Sequence, residues 1–261
     1  MTLELTVYKI GGEVLDHPDT LTQLLEDMAT VSGAKVLVHG GGKIGTEMAR
    51  RLGVETAMVG GRRITSPEML EVALMVYGGL INRRLVAQLQ ALSCPALGLT
   101  GADMDVIRAR RRPPGEIDYG LAGDVTGVNT ERLGMLLDQG IMPVLAPLTH
   151  DGAGQLLNTN ADTIAAETAI ALSRRYQVRL VFCFDKTGVL LDLNRPESLV
   201  TYLDRPLFDD MRHTGVIAGG MIPKLENAFS AIQAGVTEVL ICHASAAGKA
   251  GTPAFIGTVI R

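Results

Sequence analysis

The sequence lacks several features that would each point to a particular class of protein. Its 261 residues include no tryptophan and only three cysteines. A membrane-spanning helix needs about 20 consecutive apolar residues, and no run of that kind occurs, so we do not expect a membrane as a partner. The segment before Lys9 carries Glu4 and no basic stretch, so we expect no secretory signal.

The few cysteines also exclude some kinds of site. Cys94, Cys183 and Cys242 are far apart in the chain and lie in apolar surroundings. This pattern is typical of reduced core residues in a cytoplasmic protein, and it predicts neither a disulfide framework nor a metal site. The net charge is -4 at pH 7, which gives no reason to expect nucleic acid as a partner.

The residues that are present indicate an α/β fold. Hydrophobic residues make up 47% of the chain, enough for one large domain or two modest ones. Short apolar, β-branched runs at 3–10, 36–38 and 178–184 alternate with segments of helical spacing such as 20–31. This alternation predicts a parallel sheet with helices on its faces.

Two glycine-rich turns follow the first two predicted strands. The first is the segment 9–12 (KIGG) and the second is the segment 39–42 (HGGG). Backbone amides at the turn from a strand into a helix lack internal partners, and the helix dipole adds positive charge there. Glycine also lets a phosphate approach closely. Either turn alone is a weak signal, but two in neighbouring β–α units predict a site that holds a phosphate chain.

Three charged residues accompany the glycine turns. Lys9 ends the first apolar strand, Lys224 follows a third glycine pair at 219–220, and Asp162 lies in the first turn of a predicted helix. Each also has a purely structural explanation, since a lysine can extend its ammonium to solvent and a carboxylate can stabilise a helix start. Because they accompany the glycine turns together, we favour the phosphate site.

The aspartate belongs to a polar segment, 158–162 (NTNAD), between two apolar runs. Its asparagines, Asn158 and Asn160, are either plain turn residues or members of the same site.

This combination favours phosphoryl transfer. The transition state of that reaction spreads negative charge over the transferred oxygens, and catalysis depends mainly on positioning and electrostatic stabilisation. Two lysines and two sets of amides would supply positive charge, and an aspartate between the lysines would orient them. No histidine or carboxylate stands out as a general base. That favours a carboxylate acceptor, which has a pKa of about 4 and is already ionised at pH 7.

One string supports a different class of enzyme. The segment 40–45 (GGGKIG) satisfies the dinucleotide fingerprint, so an NADP-dependent oxidoreductase is the alternative. That fold needs an acidic residue about 20 positions further on. The corresponding window holds Arg62 and Arg63 instead, which could bind a 2′-phosphate. The alternative is therefore weakened and stays open.

Five strings together resemble the amino acid kinase family, and the resemblance covers nearly the whole chain. They are KIGG at 9–12, HGGG at 39–42, RRIT at 62–65, NTNAD at 158–162 and GMIPK at 220–224. The chain is most similar to the arginine-biosynthesis members, which use ATP to phosphorylate the γ-carboxylate of N-acetyl-L-glutamate to an acyl phosphate. The resemblance implies that reaction, with Mg2+ carried by the nucleotide phosphates. It also implies a three-layer αβα sandwich around an open, mostly parallel sheet.

The resemblance further implies two lobes. Residues 1–175 would bind the N-acylated amino acid and form a homodimer, and residues 176–261 would bind ATP. A polar connector near 173–178 agrees with this boundary. Family members that arginine inhibits have an extra N-terminal helix, which is not found before Lys9. The resemblance therefore implies a homodimer that arginine does not inhibit.

Individual residues also receive roles from the resemblance. Lys9 and Lys224 would stabilise the transferring phosphoryl group, and Asp162 would organise both lysines. Arg63 would clamp the α-carboxylate of the acceptor, a bidentate task suited to arginine, with Asn158 on its other side. The acceptor would be bound by Gly41, Gly42, Arg63, Asn158 and Asn160. The nucleotide would be bound by Gly11, Gly12, Asp185, Gly188, Gly220 and Met221.

The chain departs from the family pattern in two further places. Phe184 replaces the usual small hydroxyl residue before Asp185, which the resemblance expects to help position Lys224. The basic run 108–112 (RARRR) is heavier than usual. We favour the interpretation that the run is a solvated hairpin. The alternative is a site for an extra carboxylate of the substrate, which would then be N-succinylglutamate or a carrier-linked aminoadipate. A family member that only binds nucleotide and regulates a partner would not need Lys9 and Lys224, so the presence of both lysines argues against that alternative.

Overall fold

The computed structural model of the chain describes residues 3–192, 194–217 and 221–261. The strands in these residues are β1 (Glu4–Ile10), β2 (Ala34–His39), β3 (Ala57–Val59), β4 (Arg62–Ile64), β5 (Ala96–Leu99), β6 (Ile107–Arg111), β7 (Gly123–Val128), β8 (Met142–Leu145), β9 (Leu148–His150), β10 (Leu156–Asn158), β11 (Gln177–Phe184), β12 (Tyr202–Leu203), β13 (Glu238–His243) and β14 (Thr258–Ile260).

Eight of these strands form one large sheet. Their order is β12-β14-β13-β11-β1-β2-β8-β5. Five neighbouring pairs, from β13 to β5, are parallel, and β14 runs antiparallel to β13 at one side. The predicted open, mostly parallel sheet is therefore confirmed.

Helices cover both faces of the large sheet. They are α1 (Gly12–Leu15), α2 (Pro18–Thr30), α3 (Gly42–Arg51), α4 (Pro67–Ala73), α5 (Asn82–Ala91), α6 (Thr130–Asp138), α7 (Ala161–Leu172), α8 (Arg205–His213) and α9 (Met221–Gln233). One hydrophobic cluster joins the sheet to α6–α9, and a second joins its other face to α1–α5. The three-layer arrangement is thus as predicted.

The first strand shows why the sequence folds this way. Leu5 and Val7 pack into one cluster, whereas Tyr8 and Ile10 pack into the other. Successive side chains of a strand point to opposite faces, and both faces are covered here. A strand with two covered faces requires a nearly continuous apolar run, which is the pattern of β1. Lys9 interrupts that run at its carboxyl end.

The carboxyl ends of four neighbouring strands meet at one edge of the sheet. β11, β1, β2 and β8 are adjacent in that order and parallel. The chain leaves β1 at Gly11, β2 at Gly40 and β11 at Asp185. Since β2 lies on one side of β1 and β11 on the other, the edge forms the kind of crevice where ligands bind in open α/β sheets.

A smaller sheet flanks this edge. Its strands follow the order β10-β9-β6-β7, and β6 and β7 form the predicted hairpin that carries the basic run. β10 ends at Asn158 and leads through Thr159 and Asn160 into α7. The smaller sheet therefore positions the polar segment 158–162 at the crevice.

The long apolar helical segment that begins at Pro67 is continuous but irregular. Between α4 and α5 it contains a π-helical stretch, Leu74–Ile81, which includes Gly78 and Gly79. No helix within the described residues is long and apolar enough to cross a membrane. The lobe boundary at 175/176 falls between α7 and β11, and the division of binding tasks between the lobes stays a prediction.

Candidate active site

Lys9, Asp162 and Lys224 form a charged cluster at the centre of the crevice. The ammonium of Lys9 lies 2.6 Å from Oδ1 of Asp162, and the ammonium of Lys224 lies 3.8 Å from Oδ2. The side chains of Lys9 and Asp162 are only 7% and 14% exposed. Burying charges to this extent is unfavourable unless they are paired. The fold therefore brings together three residues that are far apart in the sequence.

The pKa values of the cluster reflect burial and mutual attraction. Burial disfavours the charged form of Asp162, but Lys9 and Lys224 outweigh it and hold the pKa of Asp162 below its ordinary value. Burial also lowers the pKa of Lys224, and Asp162 opposes that change. With both lysines protonated, two cations face one anion. The excess positive charge suits an anionic ligand.

Asn160 fixes the start of the helix that carries Asp162. Its side-chain oxygen accepts hydrogen bonds from the amides of Asp162, at 2.8 Å, and Thr163, at 3.2 Å. This is the pattern of an N-cap. Asn160 also lines the crevice, so its predicted contact with the acceptor stays a prediction beside its role as a cap.

The two glycine turns lie against each other beside the cluster. A Cβ added to Gly12 would lie 3.7 Å from the amide nitrogen of Gly42. Gly11 and Gly41 precede α1 and α3, and no side chain caps either helix. Amides at such helix starts are free to bind an anion.

Gly41 is the most constrained of these glycines. Its φ of 146° lies in the region that favours glycine. A Cβ at this position would also lie 2.3 Å from Cδ1 of Ile81. A larger residue therefore requires both an unfavourable backbone conformation and movement of a buried side chain.

The crevice consists of two adjoining depressions. One is lined by Arg62, Tyr77 and Asn158, and the other by Glu13, Phe184 and Lys224. Both depressions are lined by Lys9, Gly11, Gly12, Gly42, Met58 and Arg63. Because the two depressions have lining residues in common, a chemical group could pass from a ligand in one depression to a ligand in the other.

Arg63 is held rigidly at the junction of the depressions. Its Nη2 donates to the carbonyl of Gly42 at 2.9 Å and to Oγ1 of Thr46 at 2.8 Å, and its Nη1 donates to Thr56. All three acceptors are neutral. Among the described residues, no carboxylate lies within ion-pair distance of this guanidinium. Its positive charge therefore remains available to a ligand.

Asn158 is another lining residue of the first depression. Its Nδ2 donates to Oγ1 of Thr65 at 3.0 Å, and Thr65 in turn donates to the carbonyl of Arg63 at 3.1 Å. This chain of hydrogen bonds couples Asn158 to the strand that carries Arg63. Both residues line the first depression, and their predicted pairing around one carboxylate stays a prediction.

Asp185 forms no ion pair with Lys224 among those found in the described residues, and its predicted parts in positioning Lys224 and in binding nucleotide stay predictions. Its carboxylate lies 3.6 Å from the ammonium of Lys186, and its charge acts on Lys224 only over a longer distance. The ring of Phe184 contacts Lys224 instead: the ammonium lies 4.1 Å from the ring centroid. The ammonium of Lys9 lies 5.5 Å from the same centroid.

The other predicted nucleotide residues have structural explanations or lie outside the described residues. A Cβ on Gly188 would lie 2.7 Å from Oγ1 of Thr258, so this glycine allows the chain to pass close to β14. Met221 opens α9 and packs partly against the core. Gly220 lies outside the described residues. Nucleotide binding by these three positions stays a prediction.

Tyr77 and Arg62 also line the first depression, and the family resemblance gave neither of them a role. Tyr77 packs over the second glycine turn, since a Cβ on Gly41 would lie 3.2 Å from Cδ1 of its ring. It belongs to an apolar stripe of a helix, a pattern that by itself indicates only packing in the hydrophobic core. Arg62 lines the depression, and burial together with the charge of Arg112 lowers its pKa. Its position next to Arg63 in the sequence is the feature that could have indicated a role for Arg62 in the site.

The basic run is largely neutralised by local carboxylates. Arg108 pairs with Asp105 at 2.7 Å and Arg111 with Asp118 at 3.4 Å, and Arg112 pairs with Asp124. These side chains lie on an exposed hairpin. The structure thus supports the solvated hairpin over a dedicated site for an extra carboxylate.

Comparisons with known proteins give close relatives. Residues 4–243 match the sequence model of the amino acid kinase family. The chain is 56% identical over 242 residues to an acetylglutamate kinase of Parabacteroides distasonis, covering 93% of this chain and 95% of the relative. It is 52% identical over 261 residues to an acetylglutamate kinase of Phocaeicola vulgatus, covering 100% of both chains.

Solved structures share the fold. The smu.665 protein of Streptococcus mutans UA159 has a TM-score of 0.78 and 28% identity, with 98% of both chains covered. N-acetylglutamate synthase of Neisseria gonorrhoeae, complexed with coenzyme A and N-acetyl-glutamate, has a TM-score of 0.80 and 26% identity. The match covers 98% of this chain and 59% of the synthase.

Proposed function

This chain belongs to the amino acid kinase family, and we propose that it transfers the γ-phosphoryl group of ATP to the γ-carboxylate of N-acetyl-L-glutamate, giving an acyl phosphate and ADP. The observation that carries the proposal is the cluster of Lys9, Asp162 and Lys224 beside two glycine turns. The alternative of an NADP-dependent oxidoreductase has no support from these relatives.

The cluster lies where charge develops during the transfer. Negative charge spreads over the transferred oxygens in the transition state. Lys9, at the wall shared by both depressions, would contact the phosphoryl group throughout its passage, and Lys224 would approach it from the nucleotide side. Asp162 would hold both ammonium groups in place and would accept no proton from the acceptor.

The acceptor needs no general base. Its γ-carboxylate is ionised at neutral pH, since a carboxyl pKa is about 4. The carboxylate oxygen can therefore attack the γ-phosphorus directly while the β–γ bridging oxygen leaves with ADP. Arg63 and Asn158 would hold the α-carboxylate, and the amides of Gly41 and Gly42 would bind the acceptor end of the transferring group. Mg2+ would arrive as the complex with ATP and help to neutralise its phosphates.

One observation favours a second acceptor. Arg62 lines the first depression, where the acceptor would bind, and among the described residues no carboxylate lies within ion-pair distance of it. A half-buried guanidinium of this kind is better satisfied by an acceptor with a further carboxylate, as in N-succinylglutamate. The basic run gives no comparable support, because its own carboxylates pair with it.

The reaction can be tested by trapping the acyl phosphate as a hydroxamate. The purified chain is incubated with MgATP, hydroxylamine and one of three acceptors: N-acetylglutamate, N-succinylglutamate or free glutamate. The proposal predicts hydroxamate and ADP in equal amounts with N-acetylglutamate and little product with free glutamate. A preference for N-succinylglutamate would identify the second acceptor as the substrate, and no hydroxamate with any acceptor would overturn the proposal.

The expected homodimer has indirect support. Leu74 and Met75, in the π-helical stretch, are 40% and 53% exposed, and large apolar side chains exposed next to each other favour an interface. Sedimentation velocity at several concentrations, with and without arginine, tests this. A monomer or a hexamer would contradict the expected homodimer, and a kinase assay in which arginine lowers the activity would contradict the expected absence of arginine inhibition.

A further inference from the structure

Phe184 occupies an unusual position for an aromatic side chain. It is the last residue of β11 and points to the same face of the sheet as Phe182, with the two ring centroids 6.3 Å apart and an angle of 17° between the rings. Lys9 pairs with Phe182 in the register of β1 and β11, so its side chain emerges on that face as well. The ring is thus fixed by its strand beside the charged cluster.

The ring and Asp162 share the same two cations. The ammonium of Lys224 lies 4.1 Å from the ring centroid and 3.8 Å from Oδ2 of Asp162. The ammonium of Lys9 lies 5.5 Å from the centroid, within the range of about 6 Å over which a ring face attracts a cation. The ion pair between Lys224 and Asp162 is long, and the ring face of Phe184 provides a second neighbour at a comparable distance that also attracts positive charge.

An aromatic ring and a carboxylate at this position would have different effects on the net charge of the cluster. A second carboxylate at this position would hold Lys224 but neutralise the positive charge that the phosphoryl group needs. An aromatic face attracts the ammonium through its quadrupole and leaves the net charge unchanged. It also keeps water from one side of the ammonium, which strengthens any interaction with an incoming anion.

We propose that Phe184 is a positioning residue that holds the ammonium of Lys224 over the second depression, where the nucleotide would bind, through its aromatic face. The inference rests on the proposed function and adds to it the way in which Lys224 is oriented. A leucine of similar bulk would fill the same space without attracting the cation. A tyrosine would keep the aromatic face.

The test uses the full chain with graded fluorination at position 184. Phenylalanine is replaced by its 4-fluoro, 3,5-difluoro and 3,4,5-trifluoro forms, which weaken the negative face of the ring stepwise with little change of shape. The proposal predicts that kcat falls at each step, by about tenfold in total, while KM for the acceptor is unchanged. The basic limb of the kcat–pH profile should move to lower pH, because a weaker ring face stabilises the Lys224 ammonium less.

Matched variants separate positioning from packing. Phe184→Tyr should retain most of kcat, whereas Phe184→Leu should resemble the trifluoro form. The same fluorinated residues at Phe255, which packs against the other hydrophobic cluster, should leave kcat unchanged. Equal kcat values across the fluorinated series at position 184, or a fully active Phe184→Leu, would overturn the inference. An unsubstituted chain without kinase activity would instead overturn the proposed function.

Discussion

Asn82 donates a hydrogen bond to Nε2 of His39 at a distance of 3.2 Å, directly behind the second glycine turn. Both side chains are fully buried. Nδ1 of His39 donates in turn to the carbonyl of Gly40 at 2.8 Å, and Asn82 makes a second bond, at 2.9 Å, to the carbonyl of Val144. The neutral imidazole thus connects the end of the π-helical stretch to the turn that lines the crevice.

Replacing Asn82 should destabilise the fold. In Asn82→Ala, Nε2 of His39 and the carbonyl of Val144 each lose a buried partner. We expect the free energy of unfolding to fall by about 2–4 kcal/mol, since each unpaired buried polar group costs about 1–3 kcal/mol. Urea denaturation measures this. The control Gln23→Ala removes only an exposed hydrogen bond to Asp27 and should change stability by less than about 0.5 kcal/mol. Equal effects of the two variants would refute the importance of the buried network.

Stability should also depend on the protonation of His39. Burial lowers the pKa of His39 from 6.5 to about 4, so the unfolded chain binds a proton in a pH range where the folded chain does not. The stabilisation is fully present above pH 6.5 and is lost as pH falls towards 4. At about 1.36 kcal/mol per pH unit, the loss is about 3 kcal/mol.

This dependence can be measured from urea denaturation between pH 7.5 and pH 4.5. The loss should be markedly smaller in His39→Gln, which removes the titrating group. His17→Gln, at an exposed position, should behave like the unsubstituted chain. An unchanged pH dependence in His39→Gln would show that other groups cause the loss.

Lys9 should be far more important for turnover than a lysine at the rim of the same crevice. Lys9→Met keeps the length of the side chain but removes the charge that pairs with Asp162 at 2.6 Å. We expect kcat to fall by at least about 100-fold, as when a transition-state donor is lost. Lys43→Met is the control, because Lys43 lines the second depression but its side chain is 65% exposed. Its kcat should stay within about threefold of the unsubstituted value, with both folds checked by circular dichroism. Similar kcat values for the two variants would contradict the role of Lys9.

Two glycine variants separate backbone strain from crowding at the site. Gly41→Ala combines a φ of 146° with a Cβ 2.3 Å from Ile81, whereas Gly53→Ala has a φ of 71° and open space around the new Cβ. We expect losses in the free energy of unfolding of about 2–4 kcal/mol for Gly41→Ala and about 1–2 kcal/mol for Gly53→Ala. Only Gly41→Ala should also abolish kinase activity. Full activity in Gly41→Ala would show that the turn tolerates a side chain.

Much of the fold follows from local patterns. The apolar run of β1 ends at Lys9 because the strand leaves the core there, and the glycines that follow mark the turn. Asn160 and Ser66 both precede helices, where their side chains accept hydrogen bonds from backbone amides. Such features depend on a few neighbouring residues, so the sequence alone is enough to predict them.

Contacts between residues that are far apart in the sequence could not be predicted in the same way. Asn82 lies in an apolar helical stripe, and nothing near it indicates that its partner is His39. The neighbours of Lys224 depend on which strand lies beside β1: the insertion of β11 there places Phe184, rather than Asp185, against the ammonium. Family resemblance brought Lys9, Asp162 and Lys224 together, but it did not indicate the aromatic neighbour of Lys224, and the roles of Asp185 stay predictions.

The central claim is that a carboxylate oxygen of the acceptor attacks the phosphoryl group. It is tested most directly with N-acetylglutamate labelled with 18O in its γ-carboxylate. The acyl phosphate is cleaved with hydroxylamine, which attacks the carbonyl carbon and releases phosphate with the bridging oxygen. The account predicts that each phosphate formed in step with ADP carries one labelled oxygen, measured by mass spectrometry. Unlabelled phosphate would mean that water, and not the acceptor, receives the phosphoryl group.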